Sequence, residues 1–450
     1  MFMDKPQMSG RIVKAPEGHL GADVLEQARK ARRSFMGRAL AMGAGAAGTS
    51  AARGAAAQPQ GEGDPAILDL PEHSKALGRP VAADSGYGKP STWERNIQRR
   101  ESPGLTRVPQ ASVSFCPLQS LFGILTPSGL HFERHHQGWW DIDPARHRLM
   151  IHGLVKAPRV FTMDDLMRLP SVSRIHFIEC GANSSMEWSM PAVPSVQYTH
   201  GMLSCCEFTG VRLATLLDLC GADVRAGRYL LAEGADGSSM TRTIAMENAL
   251  DDVIVAWGMN GEMLRPENGY PLRLVVPGVQ GVSWVKYLRR IKVGDQPFFT
   301  KNEDIHYIDL MPDGTHRQFT SVQECKSVIT TPSGAQTLLD KGFYNVTGLA
   351  WSGRGSIRRV DVSADGGRNW RSARLEGPVL NKALTRFNID WVWDGSPAVL
   401  QSRAVDSTGY VQPKINQLRA VRGTGSIYHN NAIQSWRVAE NGEVSNAQMY

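Results

Sequence analysis

Along Arg174-Ile175-His176-Phe177-Ile178-Glu179-Cys180 neighbouring side chains fall on opposite faces of a strand, and Leu272 to Val276 is a second run of strand character. Between Ala111 and about Val293 such runs alternate with short helical ones. Thr162-Met163-Asp164-Asp165 resembles a capping box and predicts a helix over Asp164 to Leu169, stopped by Pro170. Val211 to Cys220 predicts an apolar-periodic helix ended by Gly221. The alternation predicts a mixed α+β domain. After Thr330 the texture changes to short strands without a good helix, at Tyr344 to Trp351, Ile357 to Ser363 and Asn369 to Leu375. Asp365-Gly366-Gly367 permits the positive φ angles of a tight hairpin between the last two, and a β-sandwich is the natural reading.

With 42% hydrophobic and 21% charged residues, a chain of 450 can bury a sizeable core. It has no apolar stretch near the roughly 18 residues that would predict a membrane-spanning helix. The formal charge of +7 suggests a polyanion partner until its location is considered. Residues 1–57 hold nine Lys/Arg against four Asp/Glu, so most of the excess lies outside the expected domains, which weighs against a nucleic-acid partner. The same segment reads as an export address. Arg32-Arg33 precedes Phe35, then a mildly apolar Ala/Gly/Met run from Ala39 to Ala52, then Ala55-Ala56-Ala57 for cleavage. That pattern looks like a twin-arginine signal and implies a periplasmic workplace; a basic tail is the bland alternative. Gly43-Ala44-Gly45-Ala46-Ala47-Gly48 fits a dinucleotide fingerprint, but no strand precedes it and no ribose-binding acid follows in a βαβ unit. The expected organisation is a signal over 1–57, an extended arm over 58–110, a mixed domain over 111–325, a sandwich over 326–430 and a tail over 431–450.

The six cysteines, Cys116, Cys180, Cys205, Cys206, Cys220 and Cys325, contain no Cys-x-x-Cys pair, so zinc ribbons, thioredoxin chemistry and c-type haem attachment lose support. Cys180 differs from the rest because the strand delivers it to its end, immediately before Gly181-Ala182-Asn183-Ser184-Ser185. A thiolate displayed there is suited to nucleophilic attack or to ligating a soft, sulfur-loving metal, while a merely packed thiol remains open on residue type alone.

Several motifs recur in the order of one family. They are Phe132-Glu133-Arg134-His135-His136, Glu179-Cys180-Gly181-Ala182-Asn183, Gly210-Val211-Arg212-Leu213, and a long block from Trp257 to Val293. That block contains Met259-Asn260-Gly261, Pro266 to Gly278 and Val285-Lys286-Tyr287-Leu288. Through them the chain resembles the sulfite oxidase family of molybdenum enzymes over roughly residues 115 to 425. Trp351-Ser352-Gly353 and Asp361 to Gly367 are similar to the family's immunoglobulin-like dimerisation domain. The resemblance implies a single pyranopterin dithiolene, or molybdopterin, carrying molybdenum, with Cys180 as the protein's sulfur ligand. It implies that Phe132, Glu133, Arg134, His135, His136, Asp236, Asn268, Arg273, Trp284, Val285 and Lys286 grip the pterin and its phosphate. Tyr307 falls on the family's active-site tyrosine and Arg134 on a substrate-side arginine.

Two positions depart from the family pattern. Where sulfite-oxidising members carry two arginines after the cysteine turn, this chain has Ser184-Ser185, and Asn268 stands where the animal enzymes have His. Losing a cation would weaken the grip on a small dianion by about 1.5–3 kcal/mol per charged hydrogen bond, so the hydroxyls are expected to leave room for a bulkier, less charged substrate. The run Glu179 to Trp188, with the leader, resembles the molybdenum subunits of Sox-type sulfane dehydrogenases. These oxidise the outer sulfur of a cysteine persulfide on a carrier protein, by oxygen-atom transfer. Since the chain has no haem motif, the resemblance implies a c-type cytochrome subunit as acceptor, on a homodimer joined through the sandwiches. A periplasmic sulfite dehydrogenase of the same fold is the alternative; a cofactor-free binding protein and a cysteine hydrolase are weaker ones. Asn183-Ser184-Ser185 and Asn345-Val346-Thr347 match the glycosylation pattern by chance in a chain with a bacterial-type leader.

Overall fold

The computed structural model describes residues 87–103, 108–238, 240–304, 306–318, 322–425 and 427–450. The leader pattern and the first part of the expected arm lie outside these. Residues 97–450 belong to one compact unit; the described part of the other unit, up to Asn96, holds one short 3-10 turn at Thr92–Glu94.

Among the described residues four sheets build the mixed half, the least of them a two-stranded ribbon of Asp309–Leu310 with His316–Arg317. A small antiparallel one joins Arg100–Pro103, Ser112–Phe115 and Glu133–His135. The second pairs Ser171–Glu179 with Leu203–Arg212, then with Ile254–Met259, which is flanked by Glu262–Met263 and Arg273–Val275. The third runs in the order Arg159–Phe161, Leu149–Gly153, Leu288–Gly294, Tyr229–Gly234, Thr241–Ala245, with one parallel pair between Leu149–Gly153 and Leu288–Gly294. The capping box at Thr162 is present, with Thr162 accepting from the Asp165 N–H while Asp165 accepts from that of Thr162, and the helix it opens covers Met163–Met167. The second expected helix starts later than its pattern, at Leu213, because Val211 and Arg212 are still hydrogen-bonded in their strand.

The C-terminal half is a sandwich of two antiparallel sheets. One orders Lys326–Thr331, Gly342–Trp351, Thr385–Trp393 and Arg374–Leu375; the other orders Arg371–Ser372, Ile357–Ser363, Ala398–Asp406, Ser435–Val438 and Val444–Ala447. Gly366 and Gly367 carry the positive φ angles, 74° and 89°, that the hairpin turn needs. Two expectations need correction. The stretch after residue 430 is no tail, since its last two strands complete a sheet and Trp436 is fully buried with its indole N–H donated to the Ile329 carbonyl. The half also contains a helix, Ile415–Arg422, which buries Ile415 and Leu418 one turn apart and stops at Gly423 with φ 73°. Within the expected arm Arg100–Pro103 is an edge strand.

One continuous apolar core runs through both halves, from Phe177, Phe208 and Trp284 to Trp351, Phe387 and Trp436. Where the halves meet, Gly278 and Gly353 face each other so closely that a Cβ on either would lie 2.0–2.3 Å from the other's carbonyl oxygen. Arg386 of the sandwich donates to the carbonyls of Gly123 and Leu121, satisfying a loop of the mixed half with a buried guanidinium.

Candidate active site

The strand Ser171–Glu179 aims Ile178 and Cys180 to one side and Phe177 and Glu179 to the other, as the two-residue repeat dictates. Ile178 and Cys180 face a cavity that is open to solvent. Every residue expected to grip the cofactor stands around it, as do Cys180 and Tyr307. Phe132 to His136 come from the Glu133–His135 strand and its flanks, Asp236 from the loop after Tyr229–Gly234, and Asn268, Arg273, Trp284, Val285 and Lys286 from the long block. Tyr307 closes one wall. The sequence did not single out His131, Gly138, Ser238, Met240, Glu267, Gly281 or Val282, which line the same space. Their only signal was adjacency to a motif, as for His131 and Glu267.

The thiol of Cys180 is buried, and burial pushes it above its ordinary value while the Ala182 N–H and the charge of Arg134 act the other way. Tyr307 has its hydroxyl 3.3 Å from His136 Nε2, stacks on Tyr428 at 4.8 Å, and lies under the guanidinium of Arg242. Burial, with Cys180 nearby, raises the Tyr307 phenol, so it keeps its proton across the physiological range. His136 is pushed down to about 4 by burial and by Arg134, and is therefore neutral.

At the other end of the cavity the polar groups are under-satisfied. Arg273 is buried, donates to the carbonyls of Asn268 and Trp284, stacks against Phe208 and Trp284, and has no partner for Nε. Asn268 Oδ1, Asp236 Oδ1 and His131 Nε2 are also buried without partners. His131 donates Nδ1–H to the Phe132 carbonyl at 2.6 Å, which leaves Nε2 a bare acceptor. Lys286 Nζ reaches only neutral partners, His135 Nδ1 at 2.9 Å and the Glu267 carbonyl at 3.1 Å. Burial and the charge of Arg273 push it down to about 7. Two cations without a carboxylate on either, beside acceptors without donors, make a cradle for an anionic, hydrogen-bonding ligand.

Ser184 and Ser185 do not line this cavity, contrary to the expectation that they enlarge it. Ser184 is buried behind the turn, donating to the Thr199 carbonyl and accepting from Lys326 Nζ. Its φ of 65° turns the chain so that the side chain points away from the space Cys180 faces.

The oxidoreductase molybdopterin binding domain matches residues 136–301, and the Mo-co oxidoreductase dimerisation domain residues 317–436. A crystal structure of the sulfane dehydrogenase SoxCD from Paracoccus pantotrophus superposes with a TM-score of 0.84 at 47% identity, covering 87% of this chain and 100% of that one. The chain belongs to the sulfite oxidase family of molybdenum enzymes. Mouse mitochondrial sulfite oxidase is 32% identical over 275 residues, which cover 57% of this chain and 50% of that protein. Barley nitrate reductase is 32% identical over 305 residues, 60% of this chain and 33% of the reductase. The chain thus spans half or less of these curated relatives.

Membership brings a molybdopterin cofactor, and the cavity fits one. Its unpaired acceptors match a pterin's N–H groups, its buried cations match a phosphate, and it has one soft sulfur at the far end. Among the described residues no group of three or more His, Cys, Asp or Glu is placed to hold a metal ion. Among them, too, no helix is long and apolar enough to cross a membrane.

Proposed function

We propose that this protein is the molybdenum subunit of a sulfane dehydrogenase, oxidising sulfane sulfur borne as a cysteine persulfide on a carrier protein. The observation that carries the reading is Cys180 opening onto the cradle in a chain 47% identical to a sulfane dehydrogenase along that chain's full length. Arg273 and Lys286 would hold the cofactor's phosphate, one as a forked donor and one as a point charge. Asp236, Asn268 and His131 would accept from the pterin ring, Phe132, Trp284 and Val285 would wall it, and Cys180 would ligate the metal as a thiolate. When bound, the cofactor supplies two-electron, oxygen-atom-transfer chemistry. The chain's own residues then orient and charge the substrate. Tyr307 presents a protonated hydroxyl, kept in place by neutral His136, and Arg134 adds a cation on the substrate side.

Electrons would leave singly to a c-type cytochrome subunit, two chains pairing through the sandwiches that match the dimerisation domain. The twin-arginine pattern supports export to the periplasm with the cofactor already in place. Purified, molybdenum-loaded protein should reduce cytochrome c with a persulfide-bearing carrier protein and only slowly with sulfite. Rapid turnover of sulfite with none of the carrier would instead support a sulfite dehydrogenase, which the cation Arg134 at the cavity favours.

A further inference from the structure

Behind Cys180, on the face of the strand turned away from the cavity, Glu179 is 2% exposed and has three donors. Its Oε1 accepts from Lys326 Nζ at 2.9 Å and from Asn183 Nδ2 at 3.0 Å, and its Oε2 from the Trp351 indole N–H at 2.8 Å. Lys326 and Trp351 belong to the sandwich, Glu179 and Asn183 to the mixed half. Lys326, itself 2% exposed, also donates to Ser184 Oγ at 3.0 Å. Two more sandwich residues reach the turn, as the His429 N–H donates to the Gly181 carbonyl and Asn430 to that of Ser184. The turn at Cys180 is therefore held from both halves, the Cys180 N–H by the Met202 carbonyl of the mixed half and the Glu179 carboxylate with the Gly181 and Ser184 carbonyls by the sandwich.

We propose that Lys326 and Glu179 are positioning residues for the metal's thiolate ligand, a buried ion pair by which the sandwich sets the direction in which Cys180 presents its sulfur. After the cysteine turn this chain places serines, and the cation that meets Ser184 arrives from the sandwich. Lys326 is satisfied by Glu179 and does not face the cavity, so its work is on geometry rather than on substrate charge. Because the contact joins the two halves, a displacement of the sandwich reaches the sulfur within one residue of Glu179. The inference rests on the reading of Cys180 as the molybdenum ligand.

The test uses the molybdenum-loaded enzyme. Lys326→Met alone strands a buried carboxylate, whereas Glu179→Gln combined with Lys326→Met removes both charges and leaves no orphan ion. The double variant is expected to show a Mo(V) electron paramagnetic resonance spectrum split into more than one species on partial reduction. It should also lose molybdenum on dialysis about tenfold or more faster than the parent. A parental spectrum with a parental loss rate overturns the proposal. If the double variant does not accumulate folded, Trp351→Phe removes one donor from the carboxylate and is read the same way, an unaltered spectrum and loss rate again overturning it. The underlying ligand reading fails separately, if Cys180→Ser leaves the number of sulfur atoms around molybdenum unchanged by X-ray absorption.

Discussion

Lys286 donates from Nζ to Nδ1 of His135 at 2.9 Å, which commits that imidazole to carrying its proton on Nε2, 2.7 Å from Glu133. Burial, then the charge of Lys286, pushes His135 down to about 3, so a neutral ring carries the link between a buried ammonium and a carboxylate. Lys286 is left with cations around it, Arg273 and Arg134, and with Asp236 and Glu267 as counter-charges short of contact.

The first consequence is a pH dependence of the apoprotein. The Lys286 ammonium sits at about 7 in the folded chain against an ordinary 10.5, so above pH 7 the unfolded chain binds more protons than the folded one. Stability therefore rises with pH from about 7. The rise lasts to about 9, where the buried thiols of Cys116 and Cys205, both pushed up to about 12, start to act oppositely. Urea midpoints from pH 7.5 to 9, above the range in which the buried histidines gain protons on unfolding, should climb in the parent and climb less steeply in Lys286→Met, and a flat parent curve would contradict this.

Cys180→Ser should fold normally, because the side chains are nearly equal in volume and a hydroxyl can accept from the Ala182 N–H as the thiol does. An unfolding midpoint close to that of the parent is expected, with molybdenum retained by its organic ligand but turnover abolished, measured by metal analysis and cytochrome c reduction.

For Tyr307→Phe the stack on Tyr428 survives and only the hydroxyl is lost. If that hydroxyl stabilises charge on the oxidised sulfur, kcat should fall by about 10²-fold while cofactor content stays unchanged. Since burial raises the phenol, the parent should show no loss of rate attributable to Tyr307 ionisation as pH approaches 10.

Trp436→Ala addresses the end of the chain. The ring is fully buried in the sandwich and its N–H bonded to the Ile329 carbonyl, so truncation should cost about 3–5 kcal/mol, read from chemical unfolding. A cost near zero would return residues 431–450 to the status of a tail.

Much of the site was legible because its groups lie in short motifs. The strand into Cys180, the Phe132 to His136 run and the block through Lys286 each bring several cavity residues within a few positions of one another. The helix Ile415–Arg422 was missed because its apolar residues are few and its short pattern sits among strands, although Gly423 marked its end. The final strands were missed because Ser435–Val438 and Val444–Ala447 are four residues each, and a sheet rather than local propensity holds them.

By itself the sequence determined the order of the domains, the soft thiol at a strand end, and the supply of cations and acceptors for a pterin. The first two follow from residue type and from the two-residue repeat of a strand, both of which operate over a few positions, and the third from the family resemblance that short motifs carry. Only the tertiary structure decided where the serines after Cys180 point and which cation meets them. Lys326 lies 147 residues from Glu179, and the choice between cavity and interior at Ser184 depends on a left-handed backbone turn packed against another half of the molecule. A contact across that separation is set by how two cores dock, a property of buried area and matched donors that no local stretch of sequence encodes.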